Sequence, residues 1–143
     1  MALVLIKPEH VWGPGEHNGT FRGHNPAFVT GTEAIHQFWS DDTLERDVVR
    51  KGGKVREALL RIALPVGPGE IVVRGRGLAC GLSFRVPETA AKVARAAFDR
   101  GLIVETAGPE GEVVKVIPPL TVTDDELDHG VAVLAEAIDA VRT

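Results

Sequence analysis

Residues 71–86 read IVVRGRGLACGLSFRV, two apolar runs separated by a short glycine-rich segment. Apolar residues at 71–73 and 78–86 are typical of strands, and the glycines at 75 and 77 suit a tight turn between them. The sequence therefore predicts two strands joined by a turn. Although the turn contains a GxG pattern, a strand rather than a helix follows it, so it is not a dinucleotide-binding fingerprint.

The segments that follow this pair alternate between helix and strand. We predict a helix over residues 88–100, ended by Gly101, whose buried stripe consists of Ala90, Val93, Ala94, Ala97 and Phe98. Strands are predicted at residues 102–105 and 113–117. This alternation indicates an α+β unit with its helices on one face of a small sheet.

The last predicted helix starts at a capping box, in which Thr123 and Glu126 bind each other's backbone N–H groups. The acidic residues at 124–126 are explained by this position, because the helix dipole favours negative charge at a helix start. Apolar residues then recur at intervals of four and three and form one core-facing stripe: Leu127, Val131, Leu134, Ile138 and Val141.

Two more helices are predicted upstream of residue 71. The first covers residues 26–39, with apolar residues at roughly helical spacing at Ala27, Ile35, Phe38 and Trp39. The second begins at a capping box of Asp42 and Glu45 and ends near residue 63, with the stripe Leu44, Val48, Val55, Leu59 and Ile62. Gly52 and Gly53 weaken it by about 1 kcal/mol each relative to alanine.

Residues 17–28, with the sequence HNGTFRGHNPAF, form a candidate binding loop. Gly, Asn, Thr and Pro suit a tight loop whose backbone N–H groups converge on an anion. The loop leads directly into the first helix, whose N-terminus adds unpaired donors and the positive end of its dipole. We therefore predict a phosphate site here. His17 and His24 flank it, either facing the ligand or solvated.

The first six residues, MALVLI, are apolar but too few for a signal peptide or a membrane span. A continuous apolar run of this length predicts a buried strand of a parallel sheet. Because no partner strand is predicted nearby, we expect the chain to begin within a larger protein.

The composition is that of an ordinary globular domain, with 143 residues, 44% of them hydrophobic and 25% charged. The net charge of −4 combines both signs without long runs, so neither nucleic acid nor a membrane surface is indicated as a partner. The single cysteine, Cys80, fits a reducing, cytoplasmic location. Its apolar strand predicts a buried structural thiol.

The sequence contains no catalytic triad pattern and no metal-binding motif. Its five histidines form no HExxH and have no cysteine partners at metal spacing, so no metal site is predicted. Arg74 and Arg76 lie at a strand end on either side of a glycine. A guanidinium group at such a position can bind a ligand carboxylate, and an ordinary surface arginine is the alternative.

Three motifs, in their order along the chain, resemble the end of class III aminotransferases, which are pyridoxal-phosphate enzymes of fold type I: HNGTFRGHNPAF, VRGRGLACGLSF and RGLIVETAGPEGEVVKVIPPLTVTDDEL. The resemblance covers essentially the whole chain and implies an α/β fold, the C-terminal portion of fold type I. Within the family, TFRG with NPAF and GLIVETAGPE with VVKVIPPLT resemble the branch that aminates aspartate β-semialdehyde from glutamate in ectoine biosynthesis.

The resemblance implies roles for individual residues. Thr20 is implied to hydrogen-bond the phosphate of pyridoxal 5′-phosphate across a homodimer interface, and Gly19 to let the backbone approach that phosphate. Arg74 is implied to bind the α-carboxylate of the amino acid and 2-oxo acid substrates. Arg22 stands where many members have a small residue, and a role on the substrate side is left open. His24 replaces the asparagine that the family pattern favours.

The resemblance also implies three regions. Residues 1–39 are the end of the large cofactor-binding domain, including the loop at 17–28. Residues 40–69 are a connecting helix and turn, and residues 70–143 are a small C-terminal α+β domain.

The same resemblance implies that the catalytic centre is incomplete here. The family's Schiff-base lysine lies just upstream of the position that corresponds to residue 1, so no catalytic residue is assigned. The chain alone is expected to be inactive and not to hold the cofactor covalently. The alternatives are a non-catalytic truncated product or dimerisation module of the same family, and an unrelated α+β phosphate-binding protein.

Overall fold

The computed structural model describes residues 5–17, 19 and 23–142 of the chain. They belong to two compact units, of which the first ends at Thr43 and the second begins at Leu44.

In the first unit, the main element is helix α1, Asn25–Phe38, which confirms the predicted helix to within one residue. No residue of α1 is buried, and Ile35 and the C-cap residue Trp39 are 47% and 56% exposed. The spacing was correctly helical, but spacing does not show what covers the apolar face. Of the predicted first strand, residues 1–4 lie outside the described part, while Leu5 is exposed and outside any strand.

The second unit contains a four-stranded antiparallel sheet of order β1-β2-β4-β3. Its strands are β1 (Ile71–Arg76), β2 (Ala79–Phe84), β3 (Thr106–Ala107) and β4 (Val113–Val116). The hairpin predicted at residues 71–86 is confirmed, but β1 extends three residues further than expected. The turn is therefore at Gly77 and Leu78, where Gly77 has a φ of +56° that a two-residue hairpin turn requires and glycine adopts without strain.

The strand predicted at residues 102–105 is wrong, because the strand in this region is β3. β3 directly precedes the turn formed by residues 108–111 and pairs with Val113 and Val114. Residues 102–105 contribute one backbone bond to the sheet, from the Lys115 N–H to the Glu105 carbonyl oxygen at 2.8 Å, and the Leu102 N–H donates to the Ala97 carbonyl oxygen at the end of the preceding helix. Their apolar side chains serve packing instead, since Leu102 and Val104 lie half-buried against the core.

Three α-helices and a short 3-10 helix (Leu64–Val66) complete the second unit, the α-helices being α2 (Thr43–Ala63, whose first residue belongs to the first unit), α3 (Pro87–Phe98) and α4 (Asp124–Arg142). The core they form with the sheet includes Leu59 of α2, Leu82 of β2, Val93 of α3 and Leu134 of α4, all at most 2% exposed. The strand register places Ile71, Leu82, Phe84 and Val114 on the same face of the sheet, which is the face that joins this core.

The predicted helix stripes are confirmed in their centres and wrong at their edges. Leu127, Leu134 and Ile138 of α4 are buried as expected, but Val133 and Ala137 are buried in place of Val131 and Val141, which are half-buried. α4 therefore presents two adjacent rows of residues to the core.

The stripe of α3 holds at Ala90, Val93 and Ala97, while Phe98 is 57% exposed. The Arg95 guanidinium covers part of its ring at 5.7 Å from the ring centroid. In α2, Val55 and Leu59 are buried, and the remaining predicted positions, Leu44, Val48 and Ile62, are half-buried.

The helix ends follow local chemistry closely. The capping box of α4 is confirmed, since the Thr123 N–H donates to Glu126 Oε2 at 2.9 Å and the Glu126 N–H donates to Thr123 Oγ1 at 3.3 Å. Gly101 ends α3 with a φ of +85°. At the start of α2, the Thr43 N–H donates to Asp41 Oδ1 at 2.8 Å, so the bond falls on the residue before the predicted Asp42.

An ion-pair network joins α2 to the start of α4. Both terminal nitrogens of Arg50 donate to the Asp124 carboxylate, at 2.9 and 2.7 Å, and Lys54 Nζ contacts Asp124 at 3.2 Å. Lys51 is only 6% exposed, and its Nζ donates to the Val122 carbonyl oxygen and pairs with Asp47. These bonds hold α2 in place relative to the start of α4 and the residues just before it.

We predict that this network makes the second unit sensitive to acid. Arg50, and secondarily Lys54, hold the pKa of Asp124 well below its usual range. A carboxylate whose pKa is depressed by folding contributes stability above its unfolded-state pKa of about 3.9, and that contribution is lost as the pH falls through the folded-state pKa. The urea midpoint should therefore fall as the pH is lowered below about 4.

Asp124→Asn should lower the midpoint at neutral pH and reduce its fall in acid. Asp125→Asn, which removes the exposed neighbouring carboxylate, is the matched control and should keep the full acid response. The same acid response in both variants would show that the Asp124 network does not carry the effect. The measurement is urea unfolding followed by circular dichroism at several pH values.

Candidate carboxylate-binding site

Arg74 lies on the outer face of the sheet, opposite the core. It pairs with Gly81 of β2, and the alternation of side chains along β1 puts Arg74 and Arg76 on the same face as Gly81. The Arg74 side chain is exposed and has no hydrogen bond or ion pair with any other residue that the structure describes. Its guanidinium group is therefore available to a ligand.

Gly81, the β2 partner of Arg74, is buried. A Cβ at Gly81 would lie 2.7 Å from Val113 Cγ1 and 3.0 Å from the Val114 carbonyl oxygen, so the position has no room for a side chain. The Val113 side chain therefore packs over the backbone of β2 at this position, which only glycine permits.

Lys115 continues this row on the other side of Gly81, to which it is paired. Its Nζ lies 2.7 Å from Glu105 Oε2, and Lys115 holds the pKa of Glu105 below its usual range. The positive charge of Lys115 is therefore matched by a carboxylate. On this face of the sheet, Arg74 and Arg76 are the positively charged side chains that pair with no carboxylate among the described residues.

The hairpin backbone around Arg74 depends on glycine. Gly75, between the two arginines, has a φ of +105°, and a Cβ there would lie 2.2 Å from the Ala79 carbonyl oxygen. Because this position next to Arg74 requires glycine, the direction of the arginine side chain is set by a backbone that any other residue at position 75 would disturb. A guanidinium group held in this way can bind a carboxylate through two parallel N–H···O bonds.

The candidate binding loop of the first unit is described only in part. Thr20 and Arg22 lie outside the described residues, and Gly19 is exposed. His24 occupies the N-cap of α1 in an extended conformation, with no side-chain cap bond, and the first turn contains no acidic residue. His17 contacts the Trp12 ring, with centroids 4.4 Å apart. Among the described residues, no side chain caps the start of α1 and no acidic group lies in its first turn, as an anion site requires.

Cys80 is a structural thiol, as the sequence predicts. It is 6% exposed, its Sγ donates to the Gly77 carbonyl oxygen at 3.0 Å, and burial raises its pKa. Among the described residues, no cluster of His, Cys, Asp or Glu side chains could hold a metal ion. No helix in the described part is both long and apolar enough to cross a membrane.

Sequence reasoning selected Arg74 but missed two neighbours that shape its surroundings. In the sequence, Gly81 stands inside an apolar strand and Lys115 belongs to no binding motif, so neither is singled out. The alternation of β2 and β4 could have placed both on the outer face, but only the register shows that they lie in one row with Arg74.

Comparisons with known proteins agree on one family. The profile of the aminotransferase class-III family matches residues 2–138. A diaminobutyrate–2-oxoglutarate transaminase of Nocardia farcinica is 56% identical over 144 residues, which cover 100% of this chain and 33% of that protein. The transaminase of the same name from Streptomyces coelicolor is 49% identical over 140 residues, 96% of this chain and 33% of that protein. The chain thus spans about a third of the length of these curated relatives.

Solved structures resemble the chain over a similar share. The lysine aminotransferase of M. tuberculosis in its internal aldimine form has a TM-score of 0.76 and 28% identity, covering 90% of this chain and 29% of that chain. An ornithine aminotransferase of Toxoplasma gondii, with partial occupancy of PLP at its active site, has a TM-score of 0.77 and 26% identity. The match covers 91% of this chain and 30% of that chain. The predicted fold class, α/β and part of fold type I, is confirmed.

Proposed function

The chain belongs to the class III aminotransferase family, and from that premise we propose that it is part of a diaminobutyrate–2-oxoglutarate transaminase. The whole enzyme transfers an amino group from glutamate to aspartate β-semialdehyde and yields L-2,4-diaminobutyrate and 2-oxoglutarate. The observation that carries the proposal for this chain is the exposed Arg74, whose guanidinium group has no carboxylate partner among the described residues. The identity of 56% to a transaminase of this name supports the choice of substrates.

In this proposal Arg74 binds the α-carboxylate of glutamate and 2-oxoglutarate, which lies next to the carbon at which the amino group is exchanged. In aspartate β-semialdehyde and diaminobutyrate the amino group is exchanged at C4, away from the α-carboxylate, so the guanidinium group is assigned to the glutamate half of the reaction. Its two parallel hydrogen bonds fix the direction of the carboxylate, and thereby the position of the adjacent α-carbon. The carboxylate is present before, during and after the transfer, so this bond contributes mainly to substrate affinity.

The residues of the first unit fit a phosphate-bearing cofactor. The start of α1 has no side-chain cap among the described residues and carries no acidic side chain in its first turn, so its backbone N–H groups suit an anion. We propose that Gly19 and Thr20, in the loop before α1, hold the phosphate of pyridoxal 5′-phosphate that is seated mainly in a second subunit. When bound, that cofactor supplies the carbonyl group and electron sink that transamination needs.

Under this proposal, residues 1–39 form the end of a large cofactor-binding domain and residues 70–143 form a small C-terminal α+β domain. Residues 40–69 are the connecting helix and turn between these two domains. The enzyme is a cytoplasmic homodimer that acts on amino and 2-oxo acids. No catalytic lysine is assigned within residues 1–143, so the chain by itself should transfer no amino group.

A second candidate is a non-catalytic, dimerising product of the same family. The exposed apolar residues of α1 favour it, since Phe28, Val29 and Ile35 are 46%, 70% and 47% exposed and could pack against another chain. A stable dimer of the 143-residue chain, together with failure of the activity test below, would support this candidate.

The test is a chimeric enzyme, called the chimera below, in which this chain replaces the matching third of the Nocardia farcinica transaminase. We expect the chimera to form glutamate from L-2,4-diaminobutyrate and 2-oxoglutarate with a kcat/KM within about tenfold of the intact relative. It should prefer diaminobutyrate to ornithine, which is one methylene longer. The 143-residue chain, assayed alone with pyridoxal phosphate, should show no turnover.

A chimera that folds and binds pyridoxal phosphate but does not form glutamate would contradict the proposed function. Equal rates with diaminobutyrate and ornithine would contradict the assigned substrate. Turnover by the isolated chain would contradict the statement that it contains no catalytic lysine. The intact relative, purified and assayed in parallel, controls for the quality of the cofactor and substrates.

A further inference from the structure

We propose that Gly52 of α2 is a positioning residue for the substrate carboxylate, because its contact with Gly77 fixes the turn of the hairpin that carries Arg74. The inference rests on the proposed function of Arg74 and adds to it a residue on a different element. Gly52 does not touch the substrate, and it acts only through the hairpin.

The contact between helix and turn leaves no room for a side chain. A Cβ on Gly52 would lie 2.6 Å from Gly77 Cα, 2.8 Å from its carbonyl carbon and 3.1 Å from its carbonyl oxygen. All three are backbone atoms and cannot rotate away as a flexible side chain could. Alanine at position 52 therefore requires either the helix or the turn to move.

The helix is the less movable of the two elements. Lys51, next to Gly52, is buried and donates to the Val122 carbonyl oxygen, while Arg50 binds Asp124 through both of its terminal nitrogens. The turn, by contrast, ends an edge strand that pairs on one side only. A methyl group at position 52 should therefore displace the turn.

Displacement of the turn reaches Arg74 through the strand register. Gly77 directly follows Arg76, which pairs with Ala79, and the next two pairs inward are Gly75 with Cys80 and Arg74 with Gly81. The Cys80 Sγ bond to the Gly77 carbonyl oxygen ties the second strand to the same turn. Movement of Gly77 thus changes the position of the guanidinium group relative to the rest of the sheet.

Gly53 provides a matched control within the same helix. It is exposed, and a Cβ there would meet nothing within 4 Å. Gly53→Ala adds the same methyl group one residue away and slightly favours the helix. Any difference between the two variants therefore reports the contact with Gly77 and not the loss of a helical glycine.

The decisive test is the kinetics of these two variants in the chimera. Gly52→Ala should raise the KM for glutamate by about tenfold, since small misplacements of a binding group weaken its bonds strongly. Its kcat should change by less than about twofold, because the carboxylate is bound alike in the ground state and the transition state. Gly53→Ala should leave both constants unchanged.

Amide hydrogen exchange in the 143-residue chain provides a second measurement. Gly52→Ala should speed exchange at residues 74–81 and leave the amides of α4 protected as in the parent, and Gly53→Ala should change neither. Failure of Gly52→Ala to fold, or a uniform loss of protection, would make Gly52 a requirement of the whole unit and overturn the proposal.

The kinetic results can also overturn it. A KM equal to that of Gly53→Ala, or a fall in kcat at unchanged KM, would show that Gly52 does not act on the carboxylate site. In either case the parent chimera is active and the proposed function stands. An inactive parent chimera would instead refute the proposed function, and this inference with it.

Discussion

Replacement of Arg74 by glutamine is expected to lower the kcat/KM of the chimera for glutamate by about 10²–10³-fold. Loss of one partner from a hydrogen-bonded charge pair costs about 2–5 kcal/mol when the other charge is left without water. Most of this loss should appear as a higher KM, because Arg74 binds a carboxylate that persists throughout the reaction. The measurement is steady-state kinetics with glutamate and with 2-oxoglutarate, both of which should be affected.

Arg76→Gln is the matched control for this variant. It removes the same charge from the same exposed face of β1, two residues further along. We expect its kcat/KM to stay within about threefold of the parent, because an exposed charge that does not touch the substrate has only a small effect on its binding. Equal losses in the two variants would mean that the hairpin attracts anions by its total charge, and that Arg74 makes no specific bond to the carboxylate.

The largest effect on stability is expected from Leu59→Ala in the middle of α2. Leu59 is fully buried and belongs to the core that joins the helices to the sheet. Truncation removes apolar contacts and leaves a cavity, which together cost about 2–5 kcal/mol. Because small domains are stable by about 5–15 kcal/mol, this is a large share of the total. The free energy of unfolding can be measured by urea titration of the 143-residue chain.

Leu60→Ala offers a control at the next position of the same helix. Leu60 is 42% exposed and lies outside the core cluster. Its truncation changes the same atoms and the same helix propensity, so we expect a loss of less than about 1 kcal/mol. Similar losses at the two positions would contradict the orientation of α2 against the sheet.

Local chemistry made much of the fold predictable from the sequence. The ends of α3 and α4 depend on single residues, Gly101 and the pair Thr123 and Glu126, and each acts through a bond to its own helix. Such signals can be read without knowledge of the rest of the chain. The same holds for the hairpin at residues 71–86, whose turn requires a glycine.

Other features depend on what lies against a segment, and these could not be predicted. The sequence assigned Gly52 and Gly53 one shared effect, a weaker helix, while the structure gives Gly52 a close neighbour and Gly53 none. Likewise, the apolar residues 102–105 suggested a strand, but they pack on the core beside a sheet whose pairing begins at Thr106. Periodicity shows which residues share a face and not what covers that face.

The candidate site combines both kinds of information. Resemblance to a family selected Arg74, and the structure supplies the reason it is suited to a carboxylate, namely its position on the exposed face of β1 and the absence of a carboxylate partner within the described residues. Lys115 has the same charge and lies in the same row, but Glu105 already pairs with it. Charge alone would not distinguish the two residues.

The most direct test of the central claim compares glutamate with its α-amide as amino donors for the chimera and for Arg74→Gln. The amide lacks the negative charge that Arg74 is proposed to bind, and its other chemical differences affect both proteins equally. We predict that the parent prefers glutamate by about 10²-fold or more and that Arg74→Gln loses nearly all of this preference. If the preference survives in Arg74→Gln, the α-carboxylate is bound elsewhere and the account is wrong.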